Sequence, residues 1–262
     1  VQHNGVVADA AMVVLVHWLW ALLINAVLIA AASRAPLLTP AGWVHAAALG
    51  TMLWGTLGPS GWLAVVAYLA LGSLVTRLGF ADKRARGLAE ARGGRRGPEN
   101  VWGSAATGAL LALLTAVLAA PWRPLLLIGF AASFAAKLAD TFGSEIGKRW
   151  GRNTVLITTL RPVPPGTEGA ISLEGTAASL VGGLLMALIC AGLGLLEAAG
   201  PPLPVLVLVS AVALLATLIE SAIGATLQRR WSWLSNELVN GLQTAIAAVL
   251  AMGLAWSVAG LA

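Results

Sequence analysis

Within one strongly apolar stretch, Lys137-Leu-Ala-Asp140-Thr-Phe-Gly-Ser144-Glu145-Ile-Gly147, an ammonium and two carboxylates stand where hydrocarbon would surround them. A charge at bilayer depth costs about 2.5 kcal/mol or much more, so such groups are usually kept for function. At three- and four-residue steps Lys137, Asp140, Thr141, Ser144 and Lys148 share one helical face, with Glu145 on its flank. Thr217, Glu220, Ser221, Gly224 and Gln228 form a second such stripe, in which Gly224 would permit close approach of backbone or ligand. A neutralising Lys137–Asp140 pair, with Ser, Thr and Gly as packing residues, would account for the first stripe. It would not account for a third carboxylate at the same depth on another helix.

Helix rise turns these spacings into depth. Asp140 precedes the basic end at Lys148 by eight residues, and Glu220 precedes Gln228 by eight, so both lie about 12 Å inside. Asn25 precedes Arg34 by nine residues, and Asn236, Asn240 and Gln243 open the last apolar segment, which puts them in a similar layer. Polar groups from four helices at one level fit a water-filled cavity, since lipid-facing polar groups would go uncompensated.

Two loops could add anion ligands. Between Leu156 and Thr176 the chain reads LITTLRPVPPGTEGAISLEGT, where Pro and Gly forbid a continuous helix. Thr158, Arg161, Thr167, Ser172 and the amides at Gly166, Gly169 and Gly175 are phosphate-compatible donors, and the next helix begins near Ser172 with its positive end free. No Walker A sequence occurs, and an ordinary connection between helices explains the same composition. Before the fourth segment, Arg95 and Arg96 beside glycines, with Asn100 following, could grip phosphate oxygens bidentately. As loop charges they have a topological explanation too.

The elements that must position these groups are membrane-spanning helices. Hydrophobic residues make up 58% of the 262, charged ones 10%, and mean hydropathy is +0.85, which no soluble domain of this length sustains. Eight candidate spans follow: 7–32, 41–58, 61–79, 103–120, 124–147, 172–196, 203–228 and 236–260. The second is short and Gly-containing, a candidate re-entrant segment. No linker divides them, so the expectation is one all-α integral-membrane domain over 1–262 with a polar cavity facing the cytoplasm. The first span lacks a basic flank and a cleavage site, and reads as a retained helix. Trp43, Trp54, Trp62, Trp102, Trp122, Trp231 and Trp233 fall near predicted helix ends, as an interfacial belt would place them. The single cysteine, Cys190, reads as a packing residue.

The net charge of +5 comes from a few loops. Arg34, Lys83, Arg84, Arg86, Arg92, Arg95, Arg96, Lys148, Arg149, Arg152, Arg161, Arg229 and Arg230 fall on one side, and only Arg123 on the other. The positive-inside rule makes the basic loops cytoplasmic and puts both termini outside. Nothing in the chain has the basic face with stacking aromatics that nucleic acid would need.

Three segments together resemble one integral-membrane family. They are Arg95-Arg-Gly-Pro-Glu-Asn-Val101, Ala139-Asp-Thr-Phe-Gly-Ser-Glu-Ile-Gly147 with the Thr-Thr-Leu-Arg-Pro-Val-Pro-Pro-Gly-Thr-Glu-Gly loop, and Glu220-Ser-Ala-Ile-Gly-Ala-Thr-Leu-Gln228. The family is that of the phytyl-phosphate kinases of plants and cyanobacteria, with transmembrane relatives in archaea, other bacteria and animals. The resemblance covers about residues 80–245. One departure is Glu220, where relatives carry an Asp-Ser-x-x-Gly-Ala pattern.

The resemblance implies transfer of the γ-phosphate of a nucleoside triphosphate, CTP or similar, to an isoprenyl monophosphate such as phytyl or geranylgeranyl phosphate. Mg²⁺ is the expected cofactor, with Asp140, Glu145 and Glu220 as its carboxylate ligands, and these three with Lys137 make up the expected catalytic set. Lys148, Arg95, Arg96 and Arg161 would neutralise phosphates, and Asn100, Thr141, Ser144, Ser221, Asn236 and Asn240 would complete the binding surface. Membrane lipid is the remaining expected partner, and a homo-oligomer is left open. Another Mg²⁺-dependent lipid-phosphate transferase, or an ion-coupled transporter, would use similar groups. The Asp-Gly-x-x-Ala-Arg signature of CDP-alcohol phosphotransferases is missing, and the polar layer is offset to one side, unlike a transporter's midplane site.

Overall fold

Apolar stretches without water to bond their amides must satisfy every N–H and C=O internally, and the helix does this. The computed structural model describes residues 2–118 and 121–258. Its helices are α1 (Gln2–Ala32), α2 (Pro40–Arg77), a short α3 (Phe80–Ala85), α4 (Pro98–Val117), α5 (Trp122–Trp150), α6 (Leu173–Gly192), α7 (Pro202–Ile223) and α8 (Asn236–Val258). A π-turn, Gly224–Gln228, extends α7, and 3-10 turns occupy Ala91–Gly94 and Glu197–Ala199. Among the described residues seven helices are long and apolar enough to cross a membrane. The expected ends at 119–120 and 259–260 lie outside the described residues.

The eight expected spans become seven helices because 41–58 and 61–79 join in α2. Within it Gly58 takes φ 65°, ψ −158°, and Pro59 follows. Proline has no N–H to donate and its ring clashes with the carbonyl four residues back, so the helix breaks here. Arg77 at the end of α2 donates to the Pro36 carbonyl just before its start, at 2.8 Å. A straight helix of 38 residues would hold those ends about 57 Å apart. The halves 40–57 and 59–77 therefore run antiparallel, each about 27 Å long, close to the ~30 Å hydrocarbon thickness.

Helix α5 is the axis of the bundle. Residues 125–139 are buried without a break, as suits a helix apolar on every side, and α2, α4, α6, α7 and α8 pack round it. Small residues bring α6 closest: a Cβ on Gly175 would lie 2.8 Å from the Gly143 carbonyl oxygen, and one on Gly182 would lie 2.9 Å from that of Leu138. Gln243 of α8 donates to the Ala136 carbonyl and to Thr217 Oγ1, both at 3.1 Å, which fixes α5, α7 and α8 at one level.

At the end of the bundle where α5 and α7 finish and α4, α6 and α8 begin, two loops fold back. In one, α3 straps onto α5 through Lys83–Glu145, through Arg149–Asp82 at 2.6 Å, and through Arg86 to the Lys148 carbonyl at 3.1 Å. In the other, β1 (Val155–Leu156) pairs antiparallel with β2 (Ala170–Ile171), Val155 opposite Ile171. Asn25 was expected in the polar layer of the cavity. It is instead fully buried between α1 and α2, donating to the Ala47 carbonyl at 2.6 Å and accepting from Trp62 Nε1 at 2.9 Å. A polar group already satisfied by its neighbours needs no cavity.

Candidate functional site

A cavity of about 460 Å³ opens at that end of the bundle. Six helices reach it, each with the turn its sequence made polar: Tyr68 and Thr76 from α2, Asn100 and Ser104 from α4, Lys137 to Lys148 from α5, Ser172 to Ser179 from α6, Thr217 to Ser221 from α7, and Asn236 and Asn240 from α8. Of the expected site residues, Lys137, Asp140, Thr141, Ser144, Glu145, Lys148, Arg95, Arg96, Asn100, Gly166, Thr167, Gly169, Ser172, Gly175, Glu220, Ser221, Asn236 and Asn240 all line it. Thr158, Arg161, Gly224 and Gln228 do not.

The excluded four have clear physical reasons. The Leu156 amide bonds to the Arg161 carbonyl at 2.9 Å, so 156–161 forms the tip of a small hairpin, with Thr158 and Arg161 exposed on it. Gly224 does permit a close approach, but to the loop backbone, because a Cβ there would lie 3.3 Å from the Gly169 amide nitrogen. Gly169 has φ 76° and presses on the same turn; its own Cβ would meet the Ser221 carbonyl oxygen at 2.6 Å. Gln228 follows on the π-turn beyond that contact.

On the floor, Lys137 pairs with Asp140 and donates to Asn240 Oδ1 at 2.8 Å, and is itself 6% exposed. Glu220 of α7 lines the same cavity as Lys137 and Asp140 of α5. Among the described residues Glu220 has no ion-pair partner, so its carboxylate presents to the cavity. Asp140 and Glu220, eighty residues apart in sequence, thus meet at one site.

Glu145 departs from expectation. It is 2% exposed, one oxygen bonds the fully buried Lys83, and the other faces Lys148 at 3.4 Å. Lys83 also donates to the Thr76 carbonyl at 2.8 Å. Lys83, read from the sequence as a loop charge, is therefore a buried strut, and Glu145 is its counter-ion. Among the described residues no three His, Cys, Asp or Glu groups converge as a metal-ligand set. The expected triad of Asp140, Glu145 and Glu220 is not assembled. The donors present suit Mg²⁺ differently: that ion commonly takes one or two carboxylates and fills its remaining positions with phosphate oxygens and water. Asp140 and Glu220 fit that mode.

The rim contributes residues that the sequence reading passed over. Lys148 bonds Glu90 at 2.7 Å. Burial pushes the Glu90 carboxyl up, but the Lys148 ammonium outweighs this and leaves it below the ordinary range. Glu168 lines the cavity from the Pro/Gly loop and still reaches solvent. Partial burial pushes its carboxyl up, and Asp140 and Glu90 add to this while Lys148 opposes it, so the net shift is upward. The signal the sequence offered was the place of Glu168 within the Pro/Gly loop, between Thr167 and Gly169. Arg96 lies over the Tyr68 ring, 4.9 Å from its centroid, and bonds the phenol oxygen; its backbone joins Leu37 and Thr39. Arg92 pairs with Glu99 and also bonds Asn100 at 3.2 Å, while Arg95 is exposed with no carboxylate partner among the described residues. The cavity is thus lined by both signs of charge, with Arg95, Arg96 and Lys148 beside Glu90 and Glu168 at its rim and hydroxyls along its walls.

The model of the family described as integral membrane protein DUF92 matches residues 23–248. The chain belongs to this family. The DUF92 match takes in all three motifs and begins well before residue 80, where the motif resemblance starts. A membrane protein of Synechocystis sp. is 51% identical over 239 residues, covering 90% of this chain and 91% of the relative. The chloroplastic protein VTE6 of Arabidopsis thaliana is 41% identical over 219 residues, 82% of this chain and 64% of its own length, so the chain spans just under two thirds of it. A membrane protein of Methanocaldococcus jannaschii is 31% identical over 188 residues, 72% of this chain and 73% of the relative. The family expected from the motifs is borne out in plant, cyanobacterial and archaeal relatives. No solved structure matches the chain.

Proposed function

We propose that this DUF92 protein transfers the γ-phosphate of a nucleoside triphosphate, CTP or similar, to an isoprenyl monophosphate, giving the diphosphate. The observation that carries this reading is the juxtaposition of Lys137, Asp140 and Glu220 on the floor of a cavity rimmed by Lys148, Arg95 and Arg96, at one end of an apolar bundle. The motif resemblance to phytyl-phosphate kinases supports the choice of substrates.

The chemistry suits these groups. A phosphate monoester has a second pKa of about 6, so the attacking oxygen is already ionised at neutral pH and needs no general base. What the transfer needs is alignment of two polyanions that repel each other, and neutralisation of the charge spread over the moving phosphoryl group. Lys137, held by Asp140 and Asn240, presents a fixed ammonium to the moving phosphoryl oxygens. Lys148 and the arginines draw in the nucleotide, and the hydroxyls of Thr141, Ser144 and Ser221 orient oxygens. Asp140 and Glu220 would hold Mg²⁺, whose chemistry there would be further charge neutralisation. The charge asymmetry of the loops supports a cytoplasmic mouth with both termini outside, where a soluble nucleotide would meet a lipid-borne phosphate.

The test is conversion of a panel of isoprenyl monophosphates by the purified full chain with Mg²⁺ and each nucleoside triphosphate. The expected product is the C15–C20 diphosphate, lost on chelation. No diphosphate with any pairing would refute the proposal.

A further inference from the structure

Outside the polar cavity, α6 and α7 leave an apolar groove of about 660 Å³ on the face of the bundle. One wall is Leu180, Leu184 and Leu188, a four-residue repeat along α6, and all three are exposed. The floor is made of small residues, Ser210 and Ala211 of α7, where the two helices approach closely enough that a Cβ on Gly183 would lie 3.0 Å from that of Ala213. Leu218 lines both the groove and the polar cavity, so the two compartments adjoin there. On α6 the changeover falls between adjacent residues: Ser179 faces the cavity and Leu180 the groove.

The helices run antiparallel, so the groove leads away from the phosphate receptacle toward the opposite end of the bundle. From Leu218 back to Leu203 it is about 22 Å long at the helical rise, room for an extended chain of the C15–C20 class. We infer that this α6–α7 groove is the berth of the acceptor's isoprenoid chain, with its phosphate passing Leu218 into the cavity. The inference rests on the proposed kinase reading and adds the subsite that selects the acceptor by its tail. An apolar groove joined to a polar chamber that holds Lys137, Lys148, Arg95 and Arg96 suits an amphiphile with one chain and a phosphate head. A soluble phosphate acceptor would have no use for it. Apart from the Ser210 hydroxyl the lining is hydrocarbon, so recognition is by length and burial of apolar surface.

The probe is a C20 isoprenyl monophosphate bearing a photoreactive group at its far end, applied to the full chain in vesicles. Crosslinks are expected on α6 or α7 near Leu188 and Leu203, competed by unlabelled C20 monophosphate and not by the free C20 alcohol. Ala211→Trp fills the floor and should cut labelling about tenfold or more. Val249→Trp, on the exposed face of α8, should leave labelling unchanged. Crosslinks spread over α1, α2 and α8, or labelling indifferent to Ala211→Trp, would overturn the inference. If Ala211→Trp does not fold, the wild-type crosslink map decides alone. Labelling needs no turnover, which separates the two ideas. Crosslinks on α7 without phosphoryl transfer would refute the kinase reading and keep the groove. Transfer with crosslinks elsewhere would refute the groove only.

Discussion

Replacing Lys83 by Met removes an ammonium that no solvent reaches and strands the carboxylate it serves. Glu145 is 2% exposed, and its remaining cation is Lys148 at 3.4 Å. Losing one partner of a buried pair costs about 3–5 kcal/mol because the other charge stays behind uncompensated. Lys148 is already shared with Glu90 at 2.7 Å, so it offsets only part of the loss. We therefore expect the low end of the range, about 3 kcal/mol. At about 2–4 °C per kcal/mol for a chain of this size, the melting temperature should fall by about 6–12 °C. The sole cysteine offers the assay: Cys190 is fully buried, so a thiol-reactive fluorophore reports unfolding of the purified protein in detergent. Lys83→Met with Glu145→Met should regain most of the loss, because an apolar pair of similar volume is often as stable as a buried ion pair. The double variant should also keep activity within tenfold of wild type, as a strut's counter-ion does no chemistry. A single variant melting within 2 °C of wild type would refute the strut. A stable double variant without activity would return Glu145 to the catalytic set.

Asp140→Asn is nearly isosteric and leaves Lys137 bonded to Asn240, so the protein should stay folded while kcat falls at least a hundredfold, read by product formation at saturating substrates. Arg96→Lys keeps the charge but loses the planar fork, and should raise nucleotide KM about tenfold, equivalent to roughly 1.4 kcal/mol; Arg161→Lys, at the exposed hairpin tip, should be silent in the same assay. Gly169→Ala must hold a left-handed backbone at about 1–2 kcal/mol and push its methyl into the turn of α7, so the 151–172 loop should become a preferred site of limited proteolysis.

Much of the site was legible because helix geometry is uniform. Counting residues back from Lys148 and Gln228 placed Asp140 and Glu220 at one depth, and Gln243 holds their helices at that level. Counting gives depth but not azimuth. Asn25 has a similar depth, yet it satisfies itself between α1 and α2. Loops have no such ruler. Lys83 looked like any topogenic lysine until α3 folded onto α5, and Arg161, inside the most motif-like loop, turned outward when residues 156–161 closed a hairpin tip. The motif marked Glu145 correctly as special but could not say which cation it serves, because that partner lies 62 residues away in sequence. The break in α2 was announced by Gly58-Pro59, although only the meeting of Arg77 with Pro36 shows that the chain reverses there.

The position of a label decides whether a terminal phosphate is transferred within this cavity. The purified full chain is given CTP labelled either at the γ-phosphate or at the α-phosphate, with Mg²⁺ and a C20 isoprenyl monophosphate. Label is expected in the lipid product from γ-labelled CTP only, and from neither with Asp140→Asn. Lipid labelled from the α-phosphate would mean transfer of the nucleotidyl group, and no lipid label from either would mean no phosphoryl transfer; either result would refute the kinase.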